Sequence, residues 1–349
     1  MPLTPDATMP ARTPIPARLA VALAFLAAGA RAAVFCADTP AAIAGAMTSA
    51  KANGEDDEIR IVAGNYPLDD VLRLGNVETE AFALAFSGRW NADCSAQSAG
   101  GASTLNGSGE RQILQLSFAG ATDVAITDLA FVGGFAAFNA SGGVVDIAGG
   151  RNVAIERSQF YGNEMQNGEA PLRIEAGGSG SQVTLRSNLV SDNIARGITG
   201  AYVQALQGGV DVTGNTITAN ESSTPCPCSA LNYGGSSSYT LANNLVWGNE
   251  GGDVFINTTN PLHLHNDIGV FAAGSNAPGA GSSGDLSVDP AFAADGVHLL
   301  PQSPLVNAGY DDAPGGIGAL DGGRGERRVG AGVDIGALET DVLLRDGFE

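Results

Sequence analysis

Apolar residues recur in one fixed frame through the middle of the chain, at Val124 and Ile126, Val153 and Ile155, Val183 and Leu185, Val210 and Val212, Tyr239 and Leu241, and Leu262 and Leu264. Six eleven-residue copies, from VAITDLAFVGG at Val124 to LHLHNDIGVFA at Leu262, begin 29, 30, 27, 29 and 23 residues apart. Apolar first and third positions with polar or small second and fourth positions read as a strand with one buried face. The eighth position holds Phe131, Phe160, Val190, Ile217 and Val246, a second inward stripe on the next strand. A third strand precedes each copy, at 144–148, 172–176, 202–206, 231–233 and 254–256. A period in the twenties with three short strands is the size of one solenoid coil, so the expected fold is all-β, a three-faced β-solenoid.

The sixth position of the frame carries Asn188, Asn215 and Asn244, and the eleventh carries Asn163, Asn193, Asn220 and Asn249. In a parallel coil an equivalent position recurs about 4.8 Å above itself, so side-chain amides can bond along the axis as a ladder. A buried amide without partners costs about 1–3 kcal/mol, which gives repeated Asn a structural reason and favours it over a sugar-binding row.

Coil ends are unpaired sheet edges and need covers. Residues 40–52 place Ile43, Met47 and Ala50 at helical spacing behind Thr39 as N-cap, which predicts an N-terminal capping helix. Residues 274–285 are rich in Gly, Ser, Ala and Pro and have no period, so a long loop is expected there. The expected organisation is a signal peptide over 1–32 and a single domain over 33–340. That domain divides into an N-terminal cap and first coils (33–110), regular coils (111–272) and a C-terminal loop and cap (273–340), and a tail follows at 341–349.

Composition sharpens this picture. The chain holds 349 residues, 49 of them Gly, with only 15% charged and a single lysine, Lys51, which argues for tight turns and against long charged helices. A net charge of −20 disfavours nucleic acid and anionic lipid as partners. It suits solubility outside the cell, with scattered carboxylates for Ca²⁺ as the alternative reading. Arg12 and Arg18 precede an apolar run from Leu19 to Ala30, and Ala30-Arg31-Ala32 is a small-x-small cleavage pattern, so export with cleavage after Ala32 or Ala33 is expected. The run is too short to cross a bilayer, and no later segment is longer or more apolar, so no transmembrane segment is expected. Phe35 stands where a lipoprotein signal needs a small residue, which argues against a lipid anchor on Cys36. Cys36, Cys94, Cys226 and Cys228 then lie in an oxidising compartment. Cys36 with Cys94 would staple the N-terminal segment to the body. Cys226 and Cys228 could pair or stay reduced. His263, His265 and His298 show no metal-site spacing to them, and no metal site is expected.

Two stretches carry a family resemblance. DTPAAIAGAMTSAKANGEDDEIRIVAGNY, from Asp38 to Tyr66, resembles the start of pectin-lyase-like β-helix proteins. DPAF at Asp289, HLLPQSPLVNAG at His298 and VDIGALE at Val333, in that order, resemble the C-terminal part of bacterial choice-of-anchor Q proteins. The resemblance covers roughly 38–339 and implies a secreted bacterial right-handed parallel β-helix without naming a substrate. The last residues, DVLLRDGFE, are similar to short tails on exported bacterial proteins, and a sorting role or a frayed acidic terminus are both open.

The catalytic sets that the resemblance suggests are not matched. The G-H-G and R-I-K signatures of polygalacturonase-like hydrolases are missing, and Lys51, the one lysine, falls in the expected cap, away from any base role in pectate-lyase-like elimination. The best polar groove is the outward row of the third strands, Asp146, Arg173, Glu175, Gln204 and Asn232, provided that Val145, Ile147, Leu172 and Ile174 point inward. Asp146, Arg173 and Glu175 are the catalytic candidates, and Tyr202, Gln204 and Asn232 the ligand-binding ones, with a ladder of paired surface charges as the plain alternative. Glu156 and Arg186 form a second neighbour pair, and Tyr161 and Trp247 at the ninth position, with Phe255, are candidate sugar platforms. The expected role is a monomeric, exported protein that binds a polysaccharide or cell-surface glycan without catalysis and with no cofactor beyond Ca²⁺. A polysaccharide lyase or hydrolase and a structural passenger domain are the alternatives.

Overall fold

The computed structural model describes residues 32–51, 53–77, 82–98, 100–119, 122–224, 228–234 and 238–340. Residues 1–31 of the expected leader, the tail 341–349 and Cys226 lie outside them. The chain is 43% strand and 4% helix and winds into a parallel β-solenoid of about six turns. The first ladder begins with Ala33–Ala37, Asp57–Val62, Leu84–Trp90, Asp123–Thr127 and Asn152–Glu156. It continues through the second halves of Leu172–Arg186 and Ala201–Thr213 to Ser238–Ala242 and Leu262–Leu264. The second ladder runs from Gly64–Pro67 through Ser103–Asn106, Leu129–Val132, Gln159–Tyr161, Leu189–Ser191, Thr216–Thr218 and Leu245–Trp247 to Asp267–Ile268. The third stacks Leu72–Val77, Leu114–Phe118, Val145–Ala148, the first halves of the two long strands, Leu231–Gly234 and Val254–Asn257. The long strands turn a corner between the third and first ladders, with register shifts between Ala176 and Gln182. A fourth, minor ladder stacks the two-residue strands Phe135–Ala136, Glu164–Met165, Ile194–Ala195 and Glu221–Ser222, burying Ala136, Met165 and Ala195. Two residues are too few to show a period, so three faces were all that the sequence could display.

The core is the column of inward side chains that the repeat marks. Val124, Val153, Val183, Val210 and Tyr239 pair rung to rung, and Phe131, Phe160, Val190, Ile217 and Val246 are all buried. Between the first and second strands each coil turns through one left-handed residue, Asp128, Arg157, Ser187, Gly214, Asn243 or His265, each with φ between 49° and 61°. The ladder position follows it directly. The last copy is displaced by one residue from the expected frame, because Leu262 lies opposite Thr240 and His263 opposite Leu241. A one-residue slip exchanges the faces of a strand. His263 therefore points into the core and is fully buried, while Leu262 and Leu264 face outward and are half-buried.

The two amide columns are continuous. Asn188 donates its Nδ2 to Asn215 Oδ1 at 2.9 Å, Asn215 to Asn244 at 2.9 Å, and Asn244 to Asn266 at 2.9 Å. Asn163, Asn193, Asn220 and Asn249 are joined in the same way at 2.8 Å. Each amide also donates to a backbone carbonyl of the coil on its other side, as Asn215 does to Leu185 O at 3.0 Å. Asn266 belongs to the first column by virtue of the corrected frame.

Near the N-terminus a helix spans Pro40–Ala50, with Thr39 Oγ1 accepting from Ala42 N at 3.1 Å. It buries Ile43 and Met47 in the main core and lies against the strands Ala33–Ala37, Asp57–Val62 and Leu72–Val77. Cys36 and Cys94 form a disulfide that ties the first strand to the loop after Leu84–Trp90. At the other end residues 271–286 make a shortened final coil, with Phe271 bridging Val254, Ser283 bridging Leu264 and Leu286 bridging Asp267. The rest of the C-terminal segment then runs back along the flank and forms no further coil. It packs Leu299, Leu305 and Ile335 over the outward-facing Leu245, bonds Tyr310 N to Asn243 Oδ1 at 2.6 Å, and reaches Asp128 through Arg324 at 2.8 Å.

Candidate functional site

The outer face of the third ladder brings the expected polar residues together. Register places Arg73, Gln115, Asp146, Arg173, Tyr202, Asn232 and Phe255 on successive rungs of one row, and Glu175 beside Gln204 on the next row. Their neighbours Val145, Ile147, Leu172, Ile174, Val203 and Ala205 are fully buried, so strand alternation turns the row outward. From Gln115 to Phe255 the row is half-buried, a shallow lining that is neither core nor open surface.

Arg173 sits at the centre of an acidic cluster. Its guanidinium bonds Asp146 at 2.9 Å, Glu175 at 2.6 Å and Glu169 at 3.2 Å. Burial alone would pull its pKa down, but the bond to Asp146 and the charges of Asp146, Glu175 and Glu169 outweigh burial and raise it. A general base for elimination needs the opposite shift. Burial raises Asp146, against the pull of Arg173 and with a further push from Glu175. Tyr202 is raised by burial and then by Glu175, and its hydroxyl donates to Gln204 Oε1 at 2.7 Å, so the ring stays neutral with its polar end fixed. Glu169 was missed by sequence reasoning because it lies in the corner before the strand, outside the alternating pattern. Arg73 and Gln115 were missed because their strands precede the first recognisable repeat, although Leu72-Arg-Leu74 and Leu114-Gln-Leu116 show the same alternation.

The other candidates separate from this face. Tyr161 is exposed, whereas Trp247 packs against the Leu299, Leu305 and Ile335 cluster and Thr218, between them on the same row, is buried. Glu156 and Arg186 do pair, within a network in which Arg157 also bonds Glu156 and Asp128 at 3.1 Å. Asn163, Asn188, Asn193, Asn215, Asn220, Asn244 and Asn249 are committed to the two columns, and most are wholly buried. Among the described residues no group of three or more His, Cys, Asp or Glu side chains converges on a point where a metal ion would sit.

Comparison with protein-family models, with curated proteins and with solved structures returns no match. Among the described residues no helix is long and apolar enough to cross a membrane. The chemistry of the site therefore rests on its own geometry, one guanidinium shared among three carboxylates beside aromatic and amide groups.

Proposed function

We propose that the chain is an exported, noncatalytic protein that binds a glycan along the outer face of the third ladder. Tyr202 and Phe255 supply ring faces for apolar sugar surfaces, and Gln204 and Asn232 supply amide donors and acceptors. The carrying observation is the unbroken register of Arg173, Tyr202, Asn232 and Phe255 on consecutive rungs, which sets the two rings two rungs, about 10 Å, apart. A linear polymer lying along the axis would meet a repeating pattern there. The leader pattern, the Cys36–Cys94 disulfide and the resemblance to pectin-lyase-like and choice-of-anchor Q proteins support export and this ligand class. Ca²⁺ would serve as a bridge between Asp146 or Glu175 and an acidic sugar, not as a structural ion. The test is a glycan array with the wild type and the Tyr202→Ala and Phe255→Ala variants, with and without Ca²⁺. Retention of an acidic or neutral polysaccharide that both variants lose is expected, and no retention of any glycan by the wild type would end the proposal.

Cleavage of the same polymer is the second reading, favoured by one observation: Asp146 and Glu175 flank a single arginine on adjacent rungs. Unsaturated products or new reducing ends, abolished by Asp146→Asn, would establish it. The raised Arg173 speaks for binding alone.

A further inference from the structure

Both amide columns run one way: each Asn gives its Nδ2 proton to the next and accepts on Oδ1. A column of this kind must end on a group that accepts and gives nothing, and an ionised carboxylate is such a group. The structure supplies one at the donating end of each column. Asn249 donates N and Nδ2 to Asp253 Oδ1 at 3.1 and 2.7 Å. Asn266 donates N and Nδ2 to Asp285 Oδ1 at 3.0 and 2.9 Å.

Asp285 has a second task that Asp253 lacks. Its Oδ2 lies 3.1 Å from His263 Nδ1, and His263 Nε2 lies 2.6 Å from the hydroxyl of Tyr233. His263 and Tyr233 are wholly buried at the end of the lumen, with Tyr239 and Phe271 around them. Because the carboxylate only accepts, His263 carries its proton on Nδ1, its Nε2 accepts, and Tyr233 donates. Burial raises the Tyr233 phenol, in keeping with a neutral donor. The rung that holds Asp285 is short. Ser283 N bonds His263 O at 2.9 Å, His265 N bonds Ser283 O at 3.0 Å, and Leu286 N bonds Asn266 O at 2.6 Å, within a glycine- and serine-rich segment with little apolar burial of its own.

We propose that Asp285 is a single-residue latch: by terminating the amide column and the Tyr233–His263 relay together, it holds the final rung 282–286 against the last coil and keeps that end of the lumen shut. Releasing it frees the rung and opens Tyr233 and His263 to water, while the coils above stay folded. This device is independent of the glycan reading, and it makes the C-terminal end the first part of the solenoid to open.

Native-state hydrogen exchange on the full chain tests it. Asp285→Ala is expected to speed exchange of the amides of 263–268 and 283–286 by on the order of tenfold or more, leaving those of 183–190 unchanged. Asp253→Ala is expected to loosen 249–254 and residue 270 instead. Asp285→Asn separates the two tasks, because its Oδ1 still ends the amide column while its Nδ2 donates towards His263. The imidazole is then expected to switch from an Nδ1–H to an Nε2–H tautomer, read from its ring ¹⁵N shifts. Unchanged exchange at the last rung in Asp285→Ala overturns the proposal. If that variant does not fold, a wild-type His263 protonated on Nε2, or no tautomer change in Asp285→Asn, overturns it equally.

Discussion

Asn215 hands its side-chain amide proton to Asn244 Oδ1 at 2.9 Å and takes two in return from Asn188, backbone N at 3.0 Å and Nδ2 at 2.9 Å. It is thus a middle link that must both give and accept. Asn215→Ala would strand buried partners on both neighbouring coils, and a loss of about 2–4 kcal/mol in chemical denaturation is expected. Asn215→Asp should be at least as harmful, because a carboxylate gives nothing to Asn244 and brings a charge into a dry column. A smaller loss for Asp than for Ala would contradict the direction assigned to the ladder.

Gly214 shares its left-handed conformation with Asp128, Arg157, Ser187, Asn243 and His265, so backbone geometry alone does not require glycine there. The flank segment does. A Cβ on Gly214 would lie 2.6 Å from Arg327 Nη2. That guanidinium cannot easily yield, being buried and bonded to Glu339 at 2.5 Å and Asp334 O at 3.3 Å. Gly214→Ala is expected to cost about 2–4 kcal/mol. Gly248→Ala, at φ 69° with open space around it, should cost only about 1 kcal/mol. Equal losses in thermal unfolding would remove Arg327 from the explanation.

Ile43 and Met47 face the strands of the first coil from the helix Pro40–Ala50. If the helix shields the open end of the solenoid, Ile43→Asp should expose unpaired strand edges, and light scattering should detect end-to-end association of otherwise folded protein. Monomeric variant protein with an intact β-sheet spectrum would show that the helix is dispensable as a cap.

The Cys36–Cys94 bond closes a loop of 58 residues around that same end. Replacing both cysteines by serine is expected to remove up to about 4 kcal/mol, chiefly by freeing the unfolded chain. The denaturation midpoint of the wild type should fall to that of the double variant on reduction; a midpoint indifferent to reductant would contradict it.

How far the sequence reveals this molecule depends on whether a feature repeats. The inward columns and amide ladders are legible because Val153, Val183 and Val210 recur with Asn188, Asn215 and Asn244 at a constant offset. The same logic failed at the last coil, where Leu262 and Leu264 look like the inward pair but His263 takes that place. The signal that could have corrected it is Asn266, which continues the ladder only if the frame moves by one. At the candidate site, alternation brings out Asp146, Arg173, Tyr202 and Asn232, but the three-carboxylate grip on Arg173 depends on Glu169 in a corner of irregular backbone. The flank segment has no period at all. Its path over Asn243 and back to Asp128 follows from tertiary contacts such as Leu245 against Ile335, which one-dimensional pattern does not encode.

Asp267 makes the fold sensitive to pH with a definite sign. Its side chain is shut off from solvent on the last second-ladder strand, Oδ1 accepts from Val288 N at 3.0 Å, and Oδ2 has no hydrogen-bond partner among the described residues. Burial, helped by the charges of Asp253 and Asp289 and opposed by the Val288 bond, raises its pKa from 3.8 to about 6. A carboxyl raised by folding holds its proton more tightly in the native chain, so its contribution to stability is full below about pH 4 and is lost as pH rises through about 6. Asp146, Asp253, Asp334 and Glu339 are raised as well, each with burial as the first cause, and Glu339 reaches about 7. Their sum should place maximal stability in mild acid. Asp267→Asn copies the neutral form, so it should raise the melting temperature at pH 8 by roughly a few degrees and leave it nearly unchanged at pH 4. A variant that melts lower than wild type at pH 8 would mean that the buried carboxylate is stabilised by a partner in solution, and the predicted slope would have to be abandoned.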